Sequence, residues 1–282
     1  MSRRRRAWLG RLAAGSAAIL LLGLAAGCSQ TLTGTSTAQP QVGSCHNLDL
    51  PPELVATSDS KPPVPCTSSH TTQTFAIGQV VGQFASQRTR PDQQALQSLT
   101  TTMCSVAALR AFLGAADRDP ITPVSIHAYF PSRAAWAAGA RQASCDVAMS
   151  GTDDAPRPLS ISLQGIMPTA DSAIVRTCYK QDPLPDGTWK LTGSITTCDQ
   201  PHSSQDINAW LQVADPAQSQ ADVDAQCAPF AAQAAAEDAV PPGLAVTGIV
   251  VQQSNGTYSL HCAIGGDSAD GYIEGALLAQ PS

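Results

Sequence analysis

The sequence predicts an α+β protein made of two related, disulfide-stapled domains, each a long helix packed on a small antiparallel sheet. Three observations carry this reading. The pattern Cys-x-x-x-His-[Ser/Thr]-[Ser/Thr]-Gln occurs twice, at residues 66–73 and 198–205. Around each copy stands a frame of four cysteines: Cys45, Cys66, Cys104 and Cys145, then Cys178, Cys198, Cys227 and Cys262. Within each frame the apolar pattern passes from partial alternation to a three-to-four-residue spacing and back, which is the order strand, helix, strand.

The amino terminus sets the compartment. Residues 1–27 hold five arginines and no acidic residue, then an apolar stretch over 12–26 that ends in small residues. A charged start, a short apolar middle and small residues before a cleavage point describe a secretory signal peptide. The apolar stretch is shorter than the ~20 residues a membrane-spanning helix needs. The segment Leu24-Ala25-Ala26-Gly27-Cys28 resembles the lipobox of bacterial lipoprotein signals. That resemblance implies cleavage before Cys28 and a lipid anchor on its thiol, a palmitate-bearing diacylglyceryl group. Several acyl chains hold a protein on a membrane where one does not. Residues 28–41 are rich in Ser, Thr and Gln, show no apolar periodicity, and read as a flexible tether. The expected location is the extracytoplasmic face of the cell membrane.

Removing residues 1–27 leaves 11 basic against 22 acidic residues, a net charge of −11. Such a body excludes nucleic acid as partner and does not adhere to anionic headgroups by charge. The eight cysteines beyond Cys28 form an even set, which outside the cytoplasm reads as four disulfides. The expected pairs are Cys45–Cys66, Cys104–Cys145, Cys178–Cys198 and Cys227–Cys262. In each half the first pair flanks a connection between neighbouring strands, and the second staples the helix to a core strand.

The first repeat spans residues 42–167. Phe75, Ile77, Val80 and Val81 mark a strand. Arg90-Pro91-Asp92 starts one amphipathic helix through Leu96, Leu99, Met103 and Val106, carrying Cys104 and stopping at Gly114. Residues 124–130 and 143–149 read as strands with a short helical turn through Trp136 between them. Leu159, Ile161 and Leu163 alternate with serines and read as a last strand. The second repeat spans residues 171–282. Residues 174–179, 189–192 and 194–198 are read as sheet, with a turn at Asp186-Gly187. Residues 207–213 match the Phe75 strand. A second helix opens at Asp215-Pro216, carries Cys227, and is expected to kink or split at Pro229. Residues 244–251 and 257–264 form a hairpin about Asn255-Gly256, and 272–278 read as the closing strand.

Val64-Pro65-Cys66-x-x-x-His70, Cys104, and Pro131-Ser-Arg-Ala-Ala-Trp136-Ala-Ala-Gly139-Ala-Arg141 before Cys145 together resemble a known family. It is the septum-formation domain of actinobacterial envelope proteins and lipoproteins, and the resemblance covers residues 42–165. The second half keeps the four cysteines and Pro201-His202 and replaces the Trp136 element with a hairpin, as a divergent copy would. The resemblance implies a link to cell division or envelope growth.

Chemistry-bearing patterns are few. Cys-x-x-x-His twice raises zinc, which needs four converging ligands and reduced thiols. Disulfides are the better reading for an exported chain, which leaves no metal and no cofactor, and leaves His70 and His202 as a repeated motif of unassigned role. Gly-x-Ser-x-Gly and His-Glu-x-x-His do not occur. Asp153, Asp154, Asp267 and Asp270 read as solvated loop residues, and Trp136, Trp189 and Trp210 as core. The expected function is that of a non-catalytic, lipid-anchored interaction module contacting envelope or division proteins. The alternative is a lipid-anchored receptor for a small solute or cell-wall ligand, bound between the two repeats.

Overall fold

Phe75 and Ile77 on one strand, and a run of small and apolar residues from Ala143 to Met149 on another, place two central strands side by side. They form the middle of the first sheet. The computed structural model describes residues 40–48, 58, 61–117, 119–121, 124–150, 155–213, 217–237, 243–266 and 271–277. The signal segment, Cys28, the tether before residue 40, and Asp153, Asp154, Asp267 and Asp270 lie outside these. The first sheet contains β1 (Cys45–His46), β2 (Thr72–Gln79), β3 (Val124–Tyr129) and β4 (Gln142–Met149), in the order β1-β2-β4-β3, all antiparallel.

The single helix expected over this sheet is two helices. α1 (Gln93–Met103) is capped by Asp92, whose carboxylate accepts the Ala95 N–H at 2.9 Å. Cys104 then leaves the helical region, with φ −101° and ψ 75°. Ser105 starts α2 (Val106–Leu113) by accepting the Ala108 N–H at 3.1 Å. A second N-cap directly after a bridged cysteine explains the break. It also lets Leu96 from one helix and Leu109, Phe112 and Leu113 from the other reach the same core. A short α3 (Arg133–Ala137) buries Trp136 completely in that core.

The second sheet holds β5 (Thr177–Pro183), β6 (Trp189–Thr197), β7 (Ser204–Val213), β8 (Ala245–Gln252) and β9 (Tyr258–Gly265). The sequence predicts a small antiparallel sheet here, but these strands close into a barrel in the order β5-β6-β8-β9-β7, with β6 and β8 parallel. β6 is the added strand, and it folds over to reach β8. Gly193 permits that approach, because a Cβ there would lie 2.9 Å from the Gln181 side chain and 3.1 Å from Ile249. Closure is thin. β6 meets β8 through one parallel pair, Thr192 with Val250, and β5 meets β7 through Cys178–Gln205 and Tyr179–Ser204. α4 (Gln220–Glu237) opens with a reciprocal Ser219–Asp222 cap and continues through Pro229, where a kink or split was expected. It lies on β8 at Gly248, where a Cβ would come within 2.8 Å of Val223. Strand exceeds helix overall, so the fold is mixed α and β but mostly β.

Without β6, the two sheets share one strand order: β1-β2-β4-β3 and β5-β7-β9-β8. Cys45 faces Gln73 as Cys178 faces Gln205. A bulge precedes Ala76 opposite Cys145, and another precedes Ala209 opposite Cys262. Four disulfides, Cys45–Cys66, Cys104–Cys145, Cys178–Cys198 and Cys227–Cys262, join Cα atoms 5.0–5.4 Å apart. Residues 38–282 form one compact unit. Within it the halves meet through an Ile121–Arg176 bridge, an Arg176–Asp119 ion pair at 3.4 Å, and Arg157, which pairs with Asp199 and donates to Thr197 at 3.0 Å. No helix among the described residues is long and apolar enough to cross a membrane.

Candidate functional site

The repeated motif works as a clamp. His70 exchanges backbone hydrogen bonds with Leu159, at 2.8 and 2.7 Å, and His202 does the same with Ile273, at 3.0 and 2.8 Å. Four residues further along each docked segment, the motif glutamine takes a backbone N–H through its amide oxygen. Gln73 accepts from Leu163 at 2.7 Å and Gln205 from Leu277 at 2.6 Å. This corrects two expected strands. Residues around 159–163 and 272–277 are not strands, because a side chain, not a neighbouring backbone, satisfies their second contact.

Both motif histidines are fully buried. Nδ1 of His70 donates to the Ser68 carbonyl at 2.9 Å, and Nδ1 of His202 to the Gln200 carbonyl at 2.8 Å. Neither Nε2 has a hydrogen-bond partner. His202 lies against Cys178 and Cys198, within 4.8 Å of both sulfurs, but those sulfurs are bonded to each other. Burial pushes the His202 pKa below the ordinary histidine value, against smaller upward effects of the Gln200 carbonyl, Asp199 and Glu274. The oxidised pair offers no thiolate, so the constellation is a neutral ring packed on a disulfide.

The element carrying Trp136 also has a structural task. Its indole N–H donates to the Gln87 carbonyl at 2.9 Å. Arg141 lies 4.3 Å over the ring and donates to the carbonyls of Ala85 and Gln87. Together they fasten the chain entering α1.

A second constellation, which sequence reading missed, lines the barrel. Tyr179 on β5 donates its hydroxyl proton to the Asp206 carboxylate on β7. Its oxygen is then free to accept from Nδ1 of His261 on β9, at 2.8 Å. That tautomer leaves Nε2 to accept from the Ser259 hydroxyl at 2.8 Å, and Ser259 accepts from the Gln253 amide at 2.6 Å. The relay is continuous from Gln253 to Asp206. Burial, with the Asp206 carboxylate beside it, pushes the Tyr179 hydroxyl far above its ordinary pKa, so it stays protonated. A serine paired with a histidine resembles a nucleophile with its base. Yet Ser259 is only 4% exposed and its oxygen is already occupied by Gln253. The arrangement fixes three strands in a thinly closed barrel. The alternation of Ser259 and His261 on one strand face was a readable signal; their partners on β5 and β7 were not.

The face next to this relay is open. Trp210, paired across the ladder with His261, is 60% exposed, against the expectation of a core residue. Asn208 and Gln212 flank it and are also exposed, and Asn208 takes a positive φ of 58° at the bulge. A shallow groove elsewhere on the barrel is lined by Lys180, Asp182, Thr192, Ser194 and Tyr258, all from the second half.

A family profile described as septum formation matches residues 42–250. The match extends the resemblance read over 42–165 across the seam and into β8. No curated protein and no solved structure matches the chain.

Proposed function

The chain belongs to the septum-formation family, and from that premise we propose that it is a lipid-anchored extracytoplasmic protein acting by non-catalytic contact with proteins of cell division or envelope growth. The observation that carries this is the family match itself, which spans both halves and their seam. We read the halves as two divergent copies of one unit, supported by their shared strand order, bulges and cysteine register. The lipid on Cys28 supplies the membrane contact, and residues 29–41 supply the reach. The acidic body supports a protein partner over nucleic acid. The strand bridge and the ion pairs of Arg157 and Arg176 lie where the two halves meet. They favour this reading over a receptor with its ligand between the repeats.

The test follows the anchor and the role separately. Wild type should fractionate with membranes with Cys28 as mature amino terminus, and Cys28→Ala should give an uncleaved precursor or a soluble product. Depleting the protein should disturb septum placement or completion. A wild-type protein in the soluble fraction, lacking Cys28, would sink the anchoring; normal septa on depletion would sink the role.

A further inference from the structure

Among the described residues, β7 beyond Gln205 has a ladder neighbour on one side only. β9 pairs with it as far as Val213, while β5 leaves it after two residue pairs. Among the described residues, the outer backbone edge of residues 209–213 has no strand beside it. The bulge lies at the start of this stretch, and from Ala209 to Val213 the pairing with β9 is regular, so the edge is straight enough to extend a ladder. Natural edges of this kind are usually blunted by lysine, proline or an inward charge. Here the residues are Ala-Trp-Leu-Gln-Val, with none of these. Ala209, Leu211 and Val213 turn toward the core beneath α4, and Trp210 and Gln212 turn outward.

Charge says what such an edge accepts. From residue 191 to residue 282 the chain contains no lysine and no arginine, but ten acidic residues. Pairing two copies through β7 would bring two such surfaces together, which like-charge repulsion opposes. A strand carrying lysine or arginine meets the opposite field, and backbone hydrogen bonds along an edge are indifferent to sequence.

We propose that the outer edge of β7, residues 209–213, receives an extended strand of a basic partner protein, with Trp210 covering one of its side chains. This rests on the interaction reading above and names the surface and the partner's chemistry. The lysine or arginine side chains of the added strand would meet the field of this acidic half, and an aliphatic stem or guanidinium would stack on the indole.

The experiment places a photo-crosslinking amino acid at position 210 of the full-length chain in its own membranes. It maps the crosslinked partner peptide by mass spectrometry. The expected product is a crosslink to another protein, within a segment of alternating residues that includes lysine or arginine. Gln212→Lys, on the exposed side of the edge, should cut its yield about fivefold, the effect of a like charge opposite a strand residue. Gln212→Glu should not cut it. An unchanged melting temperature in both variants shows that the fold is intact. A crosslink to a second copy of this chain, to an acidic segment, or to nothing overturns the proposal, as does equal yield from Gln212→Lys. If division or envelope proteins still copurify with Gln212→Lys while the crosslink is undiminished, the edge is wrong and the interaction reading stands. If nothing copurifies with wild type, the interaction reading itself fails.

Discussion

Acidification should loosen the second half through one residue. His202 is fully buried, gives its Nδ1 proton to the Gln200 carbonyl, and has no partner for Nε2, so the ring is neutral in the fold. Burial holds its pKa below the ordinary value. In the unfolded chain the same ring takes up a proton near pH 6.5. Below that pH the unfolded state binds a proton that the folded state refuses. Stability is therefore complete above about pH 7 and is lost as pH falls through 6.5 toward the folded pKa. Between pH 6.5 and 5.5 the loss has a ceiling of about 1 kcal/mol, which for a body of this size lowers Tm by about 2–4 °C. Asp199 and Glu274 favour the charged ring and bring the loss below that ceiling. His202→Asn keeps an N–H for the Gln200 carbonyl and removes the titration. It should lower Tm at pH 7.5, because the lost ring leaves a cavity worth about 1–3 kcal/mol. It should also flatten the pH dependence between 6.5 and 5.5, where most carboxylates do not titrate. Thermal melts followed by circular dichroism at pH 7.5, 6.5 and 5.5 compare the two slopes, with every other histidine common to both proteins. A variant whose Tm falls as steeply as wild type would refute the reasoning.

Cys104→Ala should cost the first half about 3–4 kcal/mol and expose a reactive thiol at Cys145, while Cys178–Cys198 and Cys227–Cys262 stay closed; non-reducing peptide mapping with alkylation reads both. The exported wild type should titrate near zero free thiol and carry no stoichiometric zinc, and several free thiols with bound zinc would reverse the disulfide reading of both motifs. Gln73→Ala should orphan the buried Leu163 N–H and cost about 1–3 kcal/mol, visible in urea unfolding together with faster exchange of the Leu163 amide. Unchanged stability and exchange would mean the clamp contributes nothing.

What the sequence determined by itself was covalent or local. Each cysteine pair closes a loop of 20 to 41 residues, and repetition of the frame limited the partners within each half. Asp92 before an apolar spacing of three to four, and Asn255-Gly256 between two alternating runs, give their structures from a few neighbouring residues alone. What only the tertiary structure decided depended on who stood opposite. Leu159, Ile161 and Leu163 alternate as a strand would, but their neighbour offered one backbone pair and then the Gln73 side chain. Cys104 could have continued a helix; Ser105 and the bridge to β4 ended it. Tyr179, Asp206 and His261 come from three strands, and only barrel closure brings them within hydrogen-bond reach. Trp210 sits in an ordinary alternating strand that predicts one covered face and one open face but not which element does the covering. Its exposure follows from where β5 parts from β7, a long-range event that no local pattern in residues 204–213 encodes.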